Sequence, residues 1–302
     1  MDFEFSRQKY YGYIIKADLH GAMDYLKTFP QMKALSDRFH SVFIGEEYIS
    51  YTVDPSLNEI LKVYQKYFRD VFYLGLSMEE AERNLSNGLA FLFSADCRDL
   101  DILEACYAAR QFTEFGYSFL GGRTGGFYGP YVWKTTESRT YMVELPDGVQ
   151  EYTVNLLDGF IFKSWIDYLS FGEVGTGGWT DSDGIINCIK SAYDLESESF
   201  QVSLLKHEAQ HAQDLRRGKD ISSEQLEYRA KLVELIYSRE RNLMSQFLQE
   251  ADASRGSNGH AAAAYRIVEG FRREFGLPAE KLGQISADLI RRTAWKLFEE
   301  SA

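Results

Sequence analysis

The sequence predicts an α+β fold that is mostly helical, with a small antiparallel or mixed sheet. Three observations carry this. The first third repeats capped helical patterns, the middle alternates short apolar runs with glycine clusters, and the last third returns to helix. The change of texture sets an expected boundary after residue 120. It leaves an N-terminal helical region over 1–120 and a second region over 121–302, in which a small sheet precedes helices.

The first helix to justify follows Asp54-Pro55, an N-cap with proline at the first helical position. Leu57, Ile60, Leu61, Tyr64, Tyr67 and Phe68 then recur at helical spacing. Ser77 and Glu80 form a capping box that opens a second helix through Leu89 and Phe93. A third runs from about Asp99 to Phe115. Six glycines between Gly116 and Gly129 then mark turns. Short strands are expected over 131–136, 140–145 and 151–156, with Pro146-Asp147-Gly148 as the turn between the last two. Residues 159–171 read as a buried helix, and 185–189 as a further strand after a second glycine cluster. A helix over about 200–217 stops at Gly218. Ser222 and Gln225 open another, expected to run to about Glu250. A loop over 251–259 and helices over 260–275 and 278–300 complete the chain.

Bulk composition narrows the partners. The 302 residues are 45% hydrophobic and 26% charged, as in a folded chain rather than a disordered one. A net charge of -12 argues against nucleic acid or an anionic membrane as the primary partner. No apolar run is long enough for membrane insertion, and the N-terminal residues lack the apolar core of a secretory signal. Cys97, Cys106 and Cys188 are too few and scattered for a disulfide framework. The expected location is cytoplasmic. Oligomeric state is not legible.

Chemistry concentrates in His207-Glu208-Ala209-Gln210-His211. Two histidines four apart share one helix face, so both imidazoles can converge on one ion, and Glu208 stands beside them as a base for a metal-activated water. The bland reading is two surface histidines on an amphipathic helix. Against it, Val202, Leu204, Leu205, Ala209, Ala212 and Leu215 surround the motif, so the helix is expected to be buried. The residues after His211 do not supply a third histidine at the His-x-x-Gly-x-x-His spacing. The third ligand is therefore sought on the next helix among Glu224, Glu227 and Glu234. Glu227 is preferred, because an antiparallel helix starting at the Ser222 cap would bring it level with the histidines. Glu224 is the alternative, and Glu234 fits an outer role.

This pattern resembles the gluzincin group of zincin metallopeptidases, which carry the His-Glu-x-x-His motif on one helix and a glutamate in a Glu-x-x-Ala stretch on the next. The resemblance is firm from Leu204 to Leu235 and looser back to Tyr131. It implies Zn²⁺ held by His207, His211 and Glu227, with Glu208 as general base, a sheet beside the active-site helix, and a peptide or protein substrate. It also implies a sheet edge that pairs with substrate backbone, expected over 179–189. Oxyanion donors are sought among His260, Tyr265 and Arg266, should the C-terminal helices pack across the cleft. Asp214 is a candidate to orient a ligand imidazole, with pairing to Arg216 or Arg217 as its alternative. His20 and His40 are expected to be unrelated. Two further readings stand beside this one: a hydrolase of a non-peptide amide, and a non-catalytic helical interaction protein in which the motif is structural or inactive.

Overall fold

The structure is a computed structural model that describes residues 4–218, 221–239, 242–251 and 259–301. Helix makes up 60% of it and strand 14%, the latter in small sheets, so the fold is mostly helical α+β. The helices are α1 (Arg7–Ile15), α2 (Leu19–Lys27), α3 (Lys33–Phe39), α4 (Pro55–Phe68), α5 (Met78–Phe93), α6 (Leu100–Ile102), α7 (Ala109–Glu114), α8 (Ser164–Leu169), α9 (His207–Arg217), α10 (Ser223–Tyr237), α11 (Leu243–Glu250), α12 (Gly259–Phe275) and α13 (Ala287–Glu299). The strands are β1 (Ser118–Leu120), β2 (Arg123–Thr124), β3 (Phe127–Tyr128), β4 (Tyr131–Trp133), β5 (Thr135–Leu145), β6 (Gly148–Asp158), β7 (Phe162–Lys163), β8 (Gly178–Thr180) and β9 (Ile186–Ile189). No described helix is long and apolar enough to cross a membrane.

The chain divides into two compact units, 1–135 with 158–175, and 136–157 with 176–302. The first unit thus takes in the helical N-terminal region and the glycine cluster of 116–129 as well. Its caps are those the sequence shows: the Asp54 carboxylate accepts from the Ser56 and Leu57 amides, and the Ser77 hydroxyl accepts from the Glu80 amide. Aromatic residues fill its core, with Tyr10, Phe39, Phe43, Tyr64, Tyr67, Phe68 and Phe112 at most 1% exposed. Strands β1, β4 and β7 form an antiparallel sheet in the order β1-β4-β7, and β2 pairs with β3. Residues 159–171 are not one helix. Phe162 and Lys163 pair with β4, and helix begins only at Ser164, whose φ is 61°.

The second unit carries a four-stranded mixed sheet in the order β5-β6-β9-β8. Strands β5 and β6 form the hairpin expected from Pro146-Asp147-Gly148, and Gly148 supplies the left-handed turn residue at φ 119°. Strand β6 runs parallel to β9, and β8 antiparallel to it. The edge strand expected over 179–189 is two strands joined by a turn. Asp181 makes that turn, its carboxylate accepting from the Asp183 and Ile185 amides. Only β8 lies at the edge.

The helix expected over 200–217 spans 199–217, its first eight residues wound as π-helix before α9 begins at His207. Its apolar face, including Phe200, Leu204, Leu205, Ala209 and Ala212, belongs to one core with Val154, Leu156 and Ile186 of the sheet. The long helix expected from the Ser222 cap breaks at Ser238, which takes an extended ψ of 141°. The Glu198 carboxylate accounts for the break. It accepts from both the Ser238 hydroxyl and the Arg239 amide and so draws the chain away from the helix axis. The segment expected as one helix over 278–300 is a 3₁₀ turn over Ala279–Gln284 and then α13, which opens at the Ser286 cap. The loop expected over 251–259 falls mostly on 252–258, outside the described residues.

Candidate metal centre

Helix α10 lies antiparallel to the 199–217 helix. Three contacts run in opposite order along the two: Asp214 with Arg229, His207 with Glu234, and Glu198 with Ser238. Helical spacing and this direction together bring five side chains to one place. His207 and His211 stand one turn apart with their rings nearly perpendicular, at 83°, and their Nε2 atoms 3.0 Å apart. Glu227 spans both, with Oε2 3.4 Å from the His207 Nε2 and Oε1 3.5 Å from the His211 Nε2.

Those separations test whether a metal fits. Zinc bonds of about 2.0–2.2 Å to nitrogen and oxygen, arranged tetrahedrally, place neighbouring donors about 3.3–3.5 Å apart. The two imidazole nitrogens, 3.0 Å apart, are slightly closer than that, and each has a different Glu227 oxygen at 3.4–3.5 Å, so the carboxylate faces both nitrogens across a space of about the size one ion needs. Glu208 stands with the same two imidazoles, one ligand atom from each of His207, Glu208 and His211 lying within 4.8 Å of the others. Thr180 on β8 holds it there, donating its hydroxyl to the Glu208 Oε2 at 2.7 Å.

Behind the ligands, the His207 Nδ1 donates to the Glu234 Oε1 at 2.7 Å, and both side chains are 8% exposed. This fixes the His207 tautomer with Nε2 facing the centre. The corresponding Nδ1 of His211 is buried without a partner among the described residues. Burial opposes charge on His207, but the Glu227 and Glu234 carboxylates outweigh it and push the imidazole up to about 10. Burial likewise opposes charge on Glu227, and three imidazoles outweigh it, holding the carboxyl far below the usual range. The centre thus demands positive charge, which a proton or a cation can carry.

His260, at the start of α12, is the third of those imidazoles. Its Nδ1 lies 2.8 Å from the Glu227 Oε2, and its side chain is 55% exposed. Gly259 permits the approach, since a Cβ there would come within 2.5 Å of the Ser223 Oγ and 3.3 Å of the Glu227 Cγ. These groups line a cleft of about 460 Å³, whose other walls include Trp179, Tyr193, Leu204, Leu226 and Lys231. Burial pushes the Tyr193 hydroxyl up to about 12, so it stays protonated as a donor.

The remaining candidates fall elsewhere. Tyr265 is 39% exposed and does not line the cleft, because five residues of helix turn it well away from His260. Arg266 instead donates to the Gln225 Oε1 at 2.6 Å and covers the Tyr228 ring. Glu224 faces Arg266 at 3.7 Å and does not line the cleft. Asp214 orients no imidazole. It accepts from the buried Arg229 Nε at 2.9 Å, while Arg217 pairs with Asp147. In the first unit, His20 bonds the Tyr73 carbonyl. Thr180 and Tyr193 carried no signal in the sequence, since nothing in a strand of three residues or a lone tyrosine marks a neighbour of Glu208. No protein-family model matches the chain, and neither characterised proteins nor solved structures give a match.

Proposed function

We propose that this protein is a zinc-dependent hydrolase of the gluzincin type, acting on peptide bonds. His207, His211 and Glu227 would hold the ion, and Glu208 would serve as general base. The supporting observation is the convergence of two imidazole nitrogens and a carboxylate from a second helix within 3.0–3.5 Å of one another. When bound, zinc supplies a Lewis acid that polarises a carbonyl and acidifies water.

The chain's own residues do the rest. Glu234 keeps the His207 lone pair turned to the centre. Thr180 holds one oxygen of Glu208, leaving the other to accept the proton released by attacking water and to pass it to the leaving amine. Of the oxyanion donors sought in the sequence, His260 lines the cleft with Nδ1 turned to Glu227, and a ring carrying protons on both nitrogens would present its Nε2–H to a developing oxyanion. Strand β8, at the sheet edge and in the cleft wall, offers backbone groups to an extended peptide. A cytoplasmic setting belongs to the same reading, in keeping with three free cysteines.

The test is the metal content of purified protein beside His211→Ala and Glu227→Ala. Zinc near one per chain, lost in both variants, is the expected result. Substoichiometric zinc in the native chain, with stability indifferent to chelator, would favour a non-catalytic helical interaction protein instead.

A further inference from the structure

Strand β8 is an edge of the four-stranded sheet and lines the cleft at the metal centre. Its bonds to β9 fix which of its backbone groups face outward. The Gly177 carbonyl accepts from the Ile189 amide at 2.9 Å, and the Asp181 amide donates to the Ile185 carbonyl at 3.0 Å. In an antiparallel pair such bonds fall on every second residue, so Gly178 and Thr180 turn their N–H and C=O groups away from β9. These two residues are what β8 offers to a chain lying along its edge.

One of the two is already taken. The Thr176 hydroxyl donates to the Gly178 carbonyl at 2.7 Å and accepts from the Gly178 amide at 3.3 Å. A side chain two residues back thus satisfies both edge groups of Gly178, as the main chain of a further strand does. A paired strand runs about 4.8 Å from its neighbour, and the Thr176 hydroxyl stands in that space. Tyr193 closes the same end of β8. It packs against Gly177, where a Cβ would collide with its hydroxyl, and it lines the cleft. Thr180 carries no such cap among the described residues. Its own hydroxyl turns to the Glu208 Oε2 at 2.7 Å, so its edge-facing backbone lies beside the proposed general base. The edge is closed at Gly178 and open at Thr180.

We infer that the site is built for the ends of peptide chains, with Thr176 as the stop. A substrate pairs its main chain with Thr180, gains no pairing at Gly178, and meets Thr176 and Tyr193 if it continues in that direction. Bonds within a residue or two of a terminus are therefore cut, and bonds inside an extended segment are spared. Each cut adds one water across the bond and leaves a new carboxylate and a new amine. The inference rests on the peptidase reading and supplies its substrate class.

The test gives reduced, carboxymethylated lysozyme, an unfolded chain, to zinc-loaded native protein, Thr176→Val and Thr176→Ser, and reads the products by mass spectrometry. The native protein is expected to trim the ends and leave the interior whole. Valine keeps the shape of threonine but frees the Gly178 edge, so Thr176→Val should add internal cuts, while Thr176→Ser keeps the hydroxyl and the native pattern. Binding gives a readout apart from turnover. In a Glu208→Gln background, fluorescence polarisation of the same unfolded chain labelled with fluorescein should show about fivefold tighter binding with Thr176→Val, the worth of one hydrogen bond no longer to be broken. Internal cuts by the native protein, Thr176→Val matching native in either assay, or Thr176→Ser behaving as valine overturns this inference alone. A chain that takes up no zinc, or that loads with zinc and cuts no bond, overturns the peptidase reading and this inference with it.

Discussion

Replacing Glu234 by glutamine separates a metal centre from a merely packed cluster. Glu234 is not itself one of the proposed ligands. It accepts the Nδ1–H of His207 at 2.7 Å, with 8% of each side chain exposed, so the bond is charge-assisted and shielded from water. Glutamine keeps the shape and the accepting oxygen but removes the charge that raises the basicity of Nε2. Losing an outer carboxylate of this kind weakens metal binding about 10–100-fold, or roughly 1.4–2.7 kcal/mol. The assay is competition for Zn²⁺ against a chromophoric chelator at fixed pH, comparing native protein, Glu234→Gln and Glu227→Ala. The expected order is native, then Glu234→Gln weaker by one to two decades, then Glu227→Ala with no measurable site. Unchanged affinity in Glu234→Gln would refute the reasoning, because a carboxylate bonded to a ligand imidazole cannot be thermodynamically silent.

The other expectations are brief. Glu208→Gln should keep its zinc and lose about 10²–10⁴-fold in kcat against any substrate found, read by metal analysis beside turnover; loss of zinc would make Glu208 a ligand. Asp214→Ala should lower stability to denaturant by about 3 kcal/mol, because it strands the Arg229 guanidinium with only Ser301 and a distant Asp147 as partners. In the first unit, burial pushes the Glu104 carboxyl up to about 7, against the opposing hydrogen bonds from Tyr64 and Gly122. A carboxyl raised in the folded state holds its proton more tightly than in the unfolded chain, so its contribution is greatest at low pH and is lost as pH rises toward and through 7. Between pH 5 and 8 that amounts to roughly 2–3 kcal/mol. Denaturant titrations should show Glu104→Gln flattening the slope by about that much, and an unchanged slope would refute it.

The parts of this architecture that were legible in the sequence are those set by local chemistry. Asp54, Ser77 and Ser222 cap the helices they announce, because a short polar side chain satisfies an amide two or three residues on, whatever the rest of the chain does. The pairing of Glu227 with the two histidines was legible because helix geometry fixes spacing and the Ser222 cap fixes where α10 starts. What escaped depended on distant partners. The break at Ser238 is made by Glu198, forty residues earlier, and the local pattern after Tyr237 reads as uninterrupted helix. Thr180 meets Glu208 only because β8 adds to the sheet edge beside α9. Tyr265 was misplaced for a related reason: the sequence indicates that α12 forms, but not which of its faces meets α10.

The burial pattern also bears on why such a cluster exists. His207, Glu227 and Glu234 have side chains no more than 13% exposed, and no lysine or arginine is paired with either carboxylate among the described residues. As scaffolding this is a poor arrangement. Buried ionisable groups must recover their desolvation cost from one another, and well-packed apolar side chains usually hold two helices together at least as firmly. Elsewhere between the same two helices the chain uses a self-sufficient pair, Asp214 with Arg229, which is already neutral. At His207 it places one carboxylate behind the imidazole, at Nδ1, and another before it, at Nε2, with a second imidazole 3.0 Å away, leaving a surplus of acceptors over donors around the pair. That surplus is costly to a fold and useful to a cation. It is the reason to prefer the metal reading over a structural one, and it ties the proposal to a measurable stabilisation by zinc that should vanish with Glu227→Ala.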